Sequence, residues 1–164
     1  MQNADNTVSR ALISGTVAGL SVALAASLQG KRETGSYAAP LNATSHIAWG
    51  DEAAQEDDVS SKYTGVGFVL NLASGIFWAA FYERFFGQPA TNPDAVRQFV
   101  NPIVGAAAVT AVAYVTDYYL VPRRFTPGFE KRLSGKSLAA VYGALALGLA
   151  ATGMVRAAMG ERSR

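Results

Sequence analysis

"ALISGTVAGLSVALAASLQG", residues 11–30, contains no Asp, Glu, Lys or Arg. Three more windows share that property: "YTGVGFVLNLASGIFWAAFY" (63–82), "QFVNPIVGAAAVTAVAYVT" (98–116) and "SLAAVYGALALGLAATGMV" (137–155). Each approaches the ~20 residues that carry a helix across about 30 Å of hydrocarbon. A helix in a water-soluble bundle keeps a polar stripe toward solvent, and none of these windows offers a charged one. The expectation is an all-α integral membrane four-helix bundle in a single transmembrane domain. Its spans are predicted at about 10–30, 63–83, 100–121 and 137–157. The first window exceeds the ~7–15 apolar residues of a signal-peptide core, so it is read as a retained span. The formal net charge of +2 hides this uneven distribution.

Four spans put both termini and the link between spans two and three on one side, here side A. Side B then holds the links at roughly 31–62 and 117–136. Arg10, Arg84, Arg97, Arg156, Arg162 and Arg164 fall on side A; Lys31, Arg32, Lys62, Arg123, Arg124, Lys131, Arg132 and Lys136 fall on side B. That excess leans toward a cytoplasmic side B, by a margin of two bases. Small residues recur at fourfold spacing within the spans. They include Gly15 and Gly19 in span one, Gly67 and Gly75 in span two, and Ala144 and Gly148 in span four. Such stripes let helix backbones approach closely, within the chain or between copies. Tyr63, Trp78, Tyr82, Tyr118 and Tyr119 lie at or near span ends, where aromatic rings prefer the headgroup level.

Within the first link, "TGSYAAPLNATSHIAWG" (34–50) is also free of charge. Pro40 suits a first helical turn, and Gly50 suits a stop. A short interfacial or re-entrant helix over about 40–49 would set Asn42, His46 and Trp49 on one face. His46 is the only histidine in the chain. Chain topology puts it on side B with Asp117, and a carboxylate at that depth needs a partner. A His46–Asp117 contact, with Asn42 one turn away, would make a proton-responsive pair. Asn71, in the middle of span two, is expected to bond across to another helix, with Thr110 and Tyr114 of span three as candidates. His46, Asp117, Asn42, Asn71, Thr110 and Tyr114 thus form a candidate polar cluster, whose plain alternative is interhelical glue. On side A, Glu83 and Arg156 are placed to pair.

Other chemistries find no support. The chain has no cysteine, which excludes disulfides and thiolate metal sites. It has no P-loop, HExxH or GxSxG pattern, and one histidine cannot ligate a haem from both sides within one chain. "DEAAQEDD" (51–58) lacks the spacing of an EF-hand loop. No catalytic residue, metal site, cofactor or nucleic-acid partner is therefore assigned.

"P-x-N-x-x-S-H-x-x-W-G" (40–50) after a first span and "D-Y-Y-L-V-P-R-R-F-T-P-G-F-E" (117–130) after a third resemble an arrangement in small four-span bacterial integral membrane proteins without an assigned activity. The resemblance implies an architecture only and carries over no site residue; the expected location is a bacterial inner membrane. The leading functional expectation is an accessory or scaffold subunit packing against itself or another membrane protein, in contact with membrane lipids. One alternative is a proton-linked small-molecule or ion transporter, or a channel-like protein, with a polar cavity around His46 and Asp117. Another is a membrane enzyme acting on a lipid or quinone with His46 as base.

Overall fold

The computed structural model describes residues 2–87 and 95–159, with side chains from 6–87 and 100–159. Arg162, Arg164 and the side chain of Arg97, counted above among the side-A bases, lie outside the described residues. All regular structure described is helical: α1 (Gln2–Thr34), α2 (Ala39–Thr44), α3 (His46–Trp49), α4 (Val66–Phe85), α5 (Ala95–Val115) and α6 (Gly135–Ala158). Four stretches are long and apolar enough to cross a membrane: Asn6–Thr34, Ser61–Phe85, Val100–Leu120 and Gly135–Ala158. The helices overrun their charge-free windows. Lys31 and Arg32 occupy the last turn of α1, where cations favour the helix dipole. Charge limits how far a helix enters hydrocarbon, not how far the helix itself extends.

Packing follows the small residues. α1 runs antiparallel to α4, with Gly19 beside Leu72, Gly15 beside Ile76 and Ser14 beside Glu83. At the centre of this seam glycine meets glycine. A Cβ added to Gly75 would lie 2.8 Å from the Gly15 carbonyl oxygen and 3.0 Å from Gly19 Cα. An adjoining face of α1 receives α6, where a Cβ on Gly148 would stand 2.6 Å from Ala18 Cα. α6 in turn packs along α5, with Gly153 against Pro102 and Tyr142 near Asp117. The order across the bundle is α4, α1, α6, α5. Windows within the first and last spans are each 44% buried, against 28% and 22% for the second and third, which marks α1 and α6 as the inner pair.

A buried ion pair fastens the side-A end. Glu83 is 2% exposed. Arg156 Nη2 donates to both of its carboxylate oxygens, at 2.7 and 2.9 Å, and Ser14 Oγ donates to Oε1 at 2.5 Å. Three helices therefore converge on one carboxylate. Arg156 also reaches Ser14 at 3.2 Å, so each member contacts both others. Breaking such a pair leaves a desolvated charge behind, at a cost of roughly 3–5 kcal/mol, while removing both charges costs less.

Two stability measurements check this frame by thermal unfolding in detergent. Gly15→Val is expected to lower the midpoint strongly, because overpacking of a close seam costs about 1–3 kcal/mol. Gly143→Ala, which has nothing within 4 Å of the added methyl, is expected to be neutral or stabilising. Glu83→Ala should destabilise more than the double substitution Glu83→Ala with Arg156→Ala. Equal loss in the two would mean that the pair contributes no coupling.

Candidate functional site

The predicted cluster divides into two places. Asn42 and His46 belong to a polar cap built from the two side-B links. Asn71 and Asp117 line a cleft between helices.

The cap begins at Ser36, whose Oγ accepts from Ala38 N and Ala39 N and donates to Asp57 O at 2.5 Å. Pro40 follows inside the first turn of α2, where its missing N–H is no loss. The expected single helix over 40–49 is interrupted at Ser45, so α2 and α3 are separate turns. Every residue of α2 is buried. Asn42 is 0% exposed and His46 3%, whereas Trp49 is 44% exposed, so the expected shared face does not act as one surface. Asn42 Nδ2 donates to Glu56 O and Asp58 O, each at 3.0 Å, and Oδ1 accepts from Thr64 Oγ1 at 2.6 Å. These bonds tie α2 to the 56–58 segment of the same link and, through Thr64, to the start of the second apolar stretch.

His46 faces main chain on both ring nitrogens: Nδ1 lies 2.8 Å from Ala43 O, and Nε2 lies 3.4 Å from Arg123 O. It is neither hydrogen-bonded nor ion-paired to Asp117. The physical reason is the 117–136 link, which folds back over α2 and interposes its own carbonyl. Gly128 makes this approach possible. Its φ is 83°, and a Cβ there would stand 2.9 Å from His46 Nδ1. Lys131 bonds Asp51 at 2.6 Å, Arg132 donates to Ala54 O at 2.7 Å and pairs with Asp57, and Glu33 accepts from Ser134 and Ser137 at the start of α6. The Lys131 ammonium holds the Asp51 carboxyl below its usual value, and His46 acts in the same direction. The carboxyl is favoured as an anion in the folded cap. This contribution is present above the ordinary carboxylate range and lost as pH falls below it.

The cleft has a different origin. α4 and α5 touch least among neighbouring helices, and their contacts gather near their linked ends, where Tyr82 Oη donates to Pro102 O at 3.4 Å and Phe86 covers Gly105. Toward side B a cleft lies between α4 and the end of α5, with Val22 of α1 and Val141, Tyr142 and Leu145 of α6 in its wall. Its free volume is about 40 Å³. That accommodates a few water-sized groups at roughly 10–15 Å³ each.

α4 contributes Asn71, Ser74, Gly75 and Trp78 to the cleft. Asn71 Nδ2 donates to Gly19 O at 2.8 Å rather than to Thr110 or Tyr114, because the glycine seam leaves that carbonyl uncovered. Across the cleft, Thr116–Leu120 leaves α-helical bonding for a wider i→i+5 turn, with Val121 N donating to Thr116 O at 3.0 Å. Asp117 sits on this turn. Wide turns of this kind recur at functional sites. Asp117 Oδ2 accepts from Tyr142 Oη at 2.6 Å. No lysine, arginine or histidine among the described residues pairs with this carboxylate.

The neighbourhood is aromatic and incompletely satisfied. Tyr114, Tyr118 and Tyr142 have ring centroids 5.1–5.9 Å apart. The Tyr118 hydroxyl, Glu130 Oε2 and Thr110 Oγ1 are buried without a hydrogen-bond partner. Glu130 is near enough to act electrostatically on Asp117 and Tyr118. Sequence reasoning missed Tyr142, Trp78 and Glu130 as neighbours of Asp117. A hydroxyl at position 142, inside an otherwise charge-free window, was the available signal.

Asn42→Ala removes three hydrogen bonds worth about 1 kcal/mol each, and leaves two main-chain carbonyls to find other donors. Faster amide exchange at 42–45 and 63–65 is expected, with exchange along α1 and α6 unchanged. Uniform acceleration across the bundle would contradict a local cap. Comparison with protein-family models, with curated proteins and with solved structures found no match to the chain.

Proposed function

We propose that this chain is a small integral membrane protein that crosses a bilayer four times and admits a ligand to the cleft beside Asp117. The carrying observation is an Asp117 carboxylate within the third apolar stretch, bonded to Tyr142, lining a cleft and lacking a cationic partner among the described residues. Ionisable groups at membrane depth are expensive and usually mark pathways or ligand sites. Outward faces support membrane residence: Leu12, Leu20, Leu24, Ile103, Val112 and Leu147 are all exposed on these helices. The proposed location is a bacterial inner membrane.

This reading is preferred to the accessory-subunit one because the glycines that would serve a partner already serve the fold. Gly15, Gly19, Gly75 and Gly148 meet other helices of the same chain, and Gly67 meets the Leu41 carbonyl. Ala144 is half-buried on α6. One observation still favours a partner: Ala139, Ala140 and Gly143 lie together on an exposed face of α6. The enzymatic reading loses its base, because both His46 nitrogens are directed at main-chain carbonyls and the ring is buried.

The absence of native cysteine makes single-cysteine labelling direct. In sealed vesicles, Glu52→Cys and Met159→Cys are expected to react with an impermeant thiol reagent from opposite sides. Ser74→Cys, at the cleft, should react from the Glu52 side, and Leu147→Cys, on the lipid-facing side of α6, should remain inert. Labelling of Glu52→Cys and Met159→Cys from one side would overturn the four-span reading. An inert Ser74→Cys beside a reactive Leu147→Cys would overturn the cleft.

A further inference from the structure

We propose that the cleft binds an organic ammonium group carried on an apolar tail. The inference rests on the cleft reading above and names its ligand class. Three features select a cation over an anion or a neutral polar solute.

The first is charge. Asp117 lines the cleft and is not paired with a basic side chain among the described residues. Three bases are engaged with other carboxylates: Lys131 with Asp51, Arg132 with Asp57, and Arg156 with Glu83 at the far end. A carboxylate held in a low-dielectric wall and supplied with a hydroxyl donor is electrostatically complementary to a cation.

The second is the aromatic lining. Trp78 and Tyr142 face the same cleft from α4 and α6, and Tyr114 and Tyr118 pack on Tyr142. Ring faces attract ammonium groups, and an aromatic wall beside a carboxylate is the recurring means of recognising them. An anion would meet the same ring faces and the carboxylate unfavourably.

The third is shape. Free volume of about 40 Å³ holds a head group, not a whole drug-sized molecule. The cleft lies between α4 and the turn that ends the third apolar stretch, and α4 and α5 carry exposed apolar residues, with Phe77 and Val112 among them. An apolar tail would therefore continue between these helices toward hydrocarbon, while the ammonium rests between Asp117 and Trp78. A membrane aminolipid and a free lipophilic amine both present this chemistry.

The test uses the full chain in nanodiscs of phosphatidylglycerol, with Trp49→Phe leaving Trp78 as the sole tryptophan reporter. Octyltrimethylammonium is titrated against Trp78 fluorescence, with octanol as the uncharged comparison. Saturable quenching by octyltrimethylammonium is expected, with affinity about tenfold or more above octanol, and a comparable loss on Asp117→Asn. Tyr142→Phe should keep the charge and weaken binding less. If both ligands bind alike and Asp117→Asn changes nothing, the cation assignment is overturned while the cleft stands. If neither ligand saturates, the cleft reading falls with it. Where Asp117→Asn fails to fold, the ratio of octyltrimethylammonium to octanol affinity on the native chain decides the cation assignment instead. Replacing part of the phosphatidylglycerol with phosphatidylethanolamine separates the sources: competition with the probe assigns the site to an aminolipid, and undiminished binding assigns it to a free amine.

Discussion

The close approach of α1 and α4 at Gly15, Gly19 and Gly75 is the constraint on which the rest of the molecule depends. With no side chains between them, the two backbones meet directly, and main-chain oxygens come within reach of the opposite helix. Asn71 uses one of them, Gly19 O, at 2.8 Å. Because α1 also receives α6 through Ala18 and Gly148, it becomes the shared inner helix. α4 and α5 are then held on opposite flanks of the α1–α6 pair. They meet near their connected ends, at Tyr82 and Pro102 and at Phe86 and Gly105, and the cleft is lined by α4, α6 and the turn that carries Asp117. A more evenly packed four-helix square would have closed it.

The two ends of the bundle solve the problem of polar groups differently. At the side-A end, Glu83 and Arg156 neutralise each other within reach of Ser14, so three helices share one charge-balanced knot. At the side-B end, the links are long enough to fold over one another. Main-chain carbonyls there find donors in Asn42, Trp49 and Arg132, and Glu33 supplies acceptors for the start of α6. Asp117 differs from both cases. Its bond to Tyr142 gives it a donor but no countercharge, and Glu130 adds a second carboxylate nearby rather than relieving the first. Glu83, Asp51 and Asp57 each have a basic partner, whereas Asp117, inside the third apolar stretch, has a hydroxyl donor and no basic partner among the described residues.

His46 illustrates why an unusual residue is a weak guide to chemistry. As the single histidine, beside a helix-starting proline, it invites a catalytic or proton-sensing role. Its surroundings give it a packing role: Gly128 lets the second side-B link approach, and both ring nitrogens face carbonyls. Tyr142 shows the converse. Within an alanine- and glycine-rich window nothing singles it out, yet its hydroxyl donates to a carboxylate that lines the cleft.

The sequence by itself determined that four helices are long and apolar enough to cross a membrane, because transfer of a helix into hydrocarbon depends on the composition of one contiguous window. It also marked Gly50 as a stop and Pro40 as a helix start, since these are properties of the local backbone. Helix partners were not legible in the same way. Fourfold glycine spacing announces a close contact without saying which helix fills it, and Asn71 announces a hydrogen bond without naming its acceptor. Only the tertiary structure decided that Asp117 meets Tyr142 instead of His46. That choice follows from how α6 packs along α5 and from how the 117–136 link folds over α2, both of which arise from packing between segments distant in the chain.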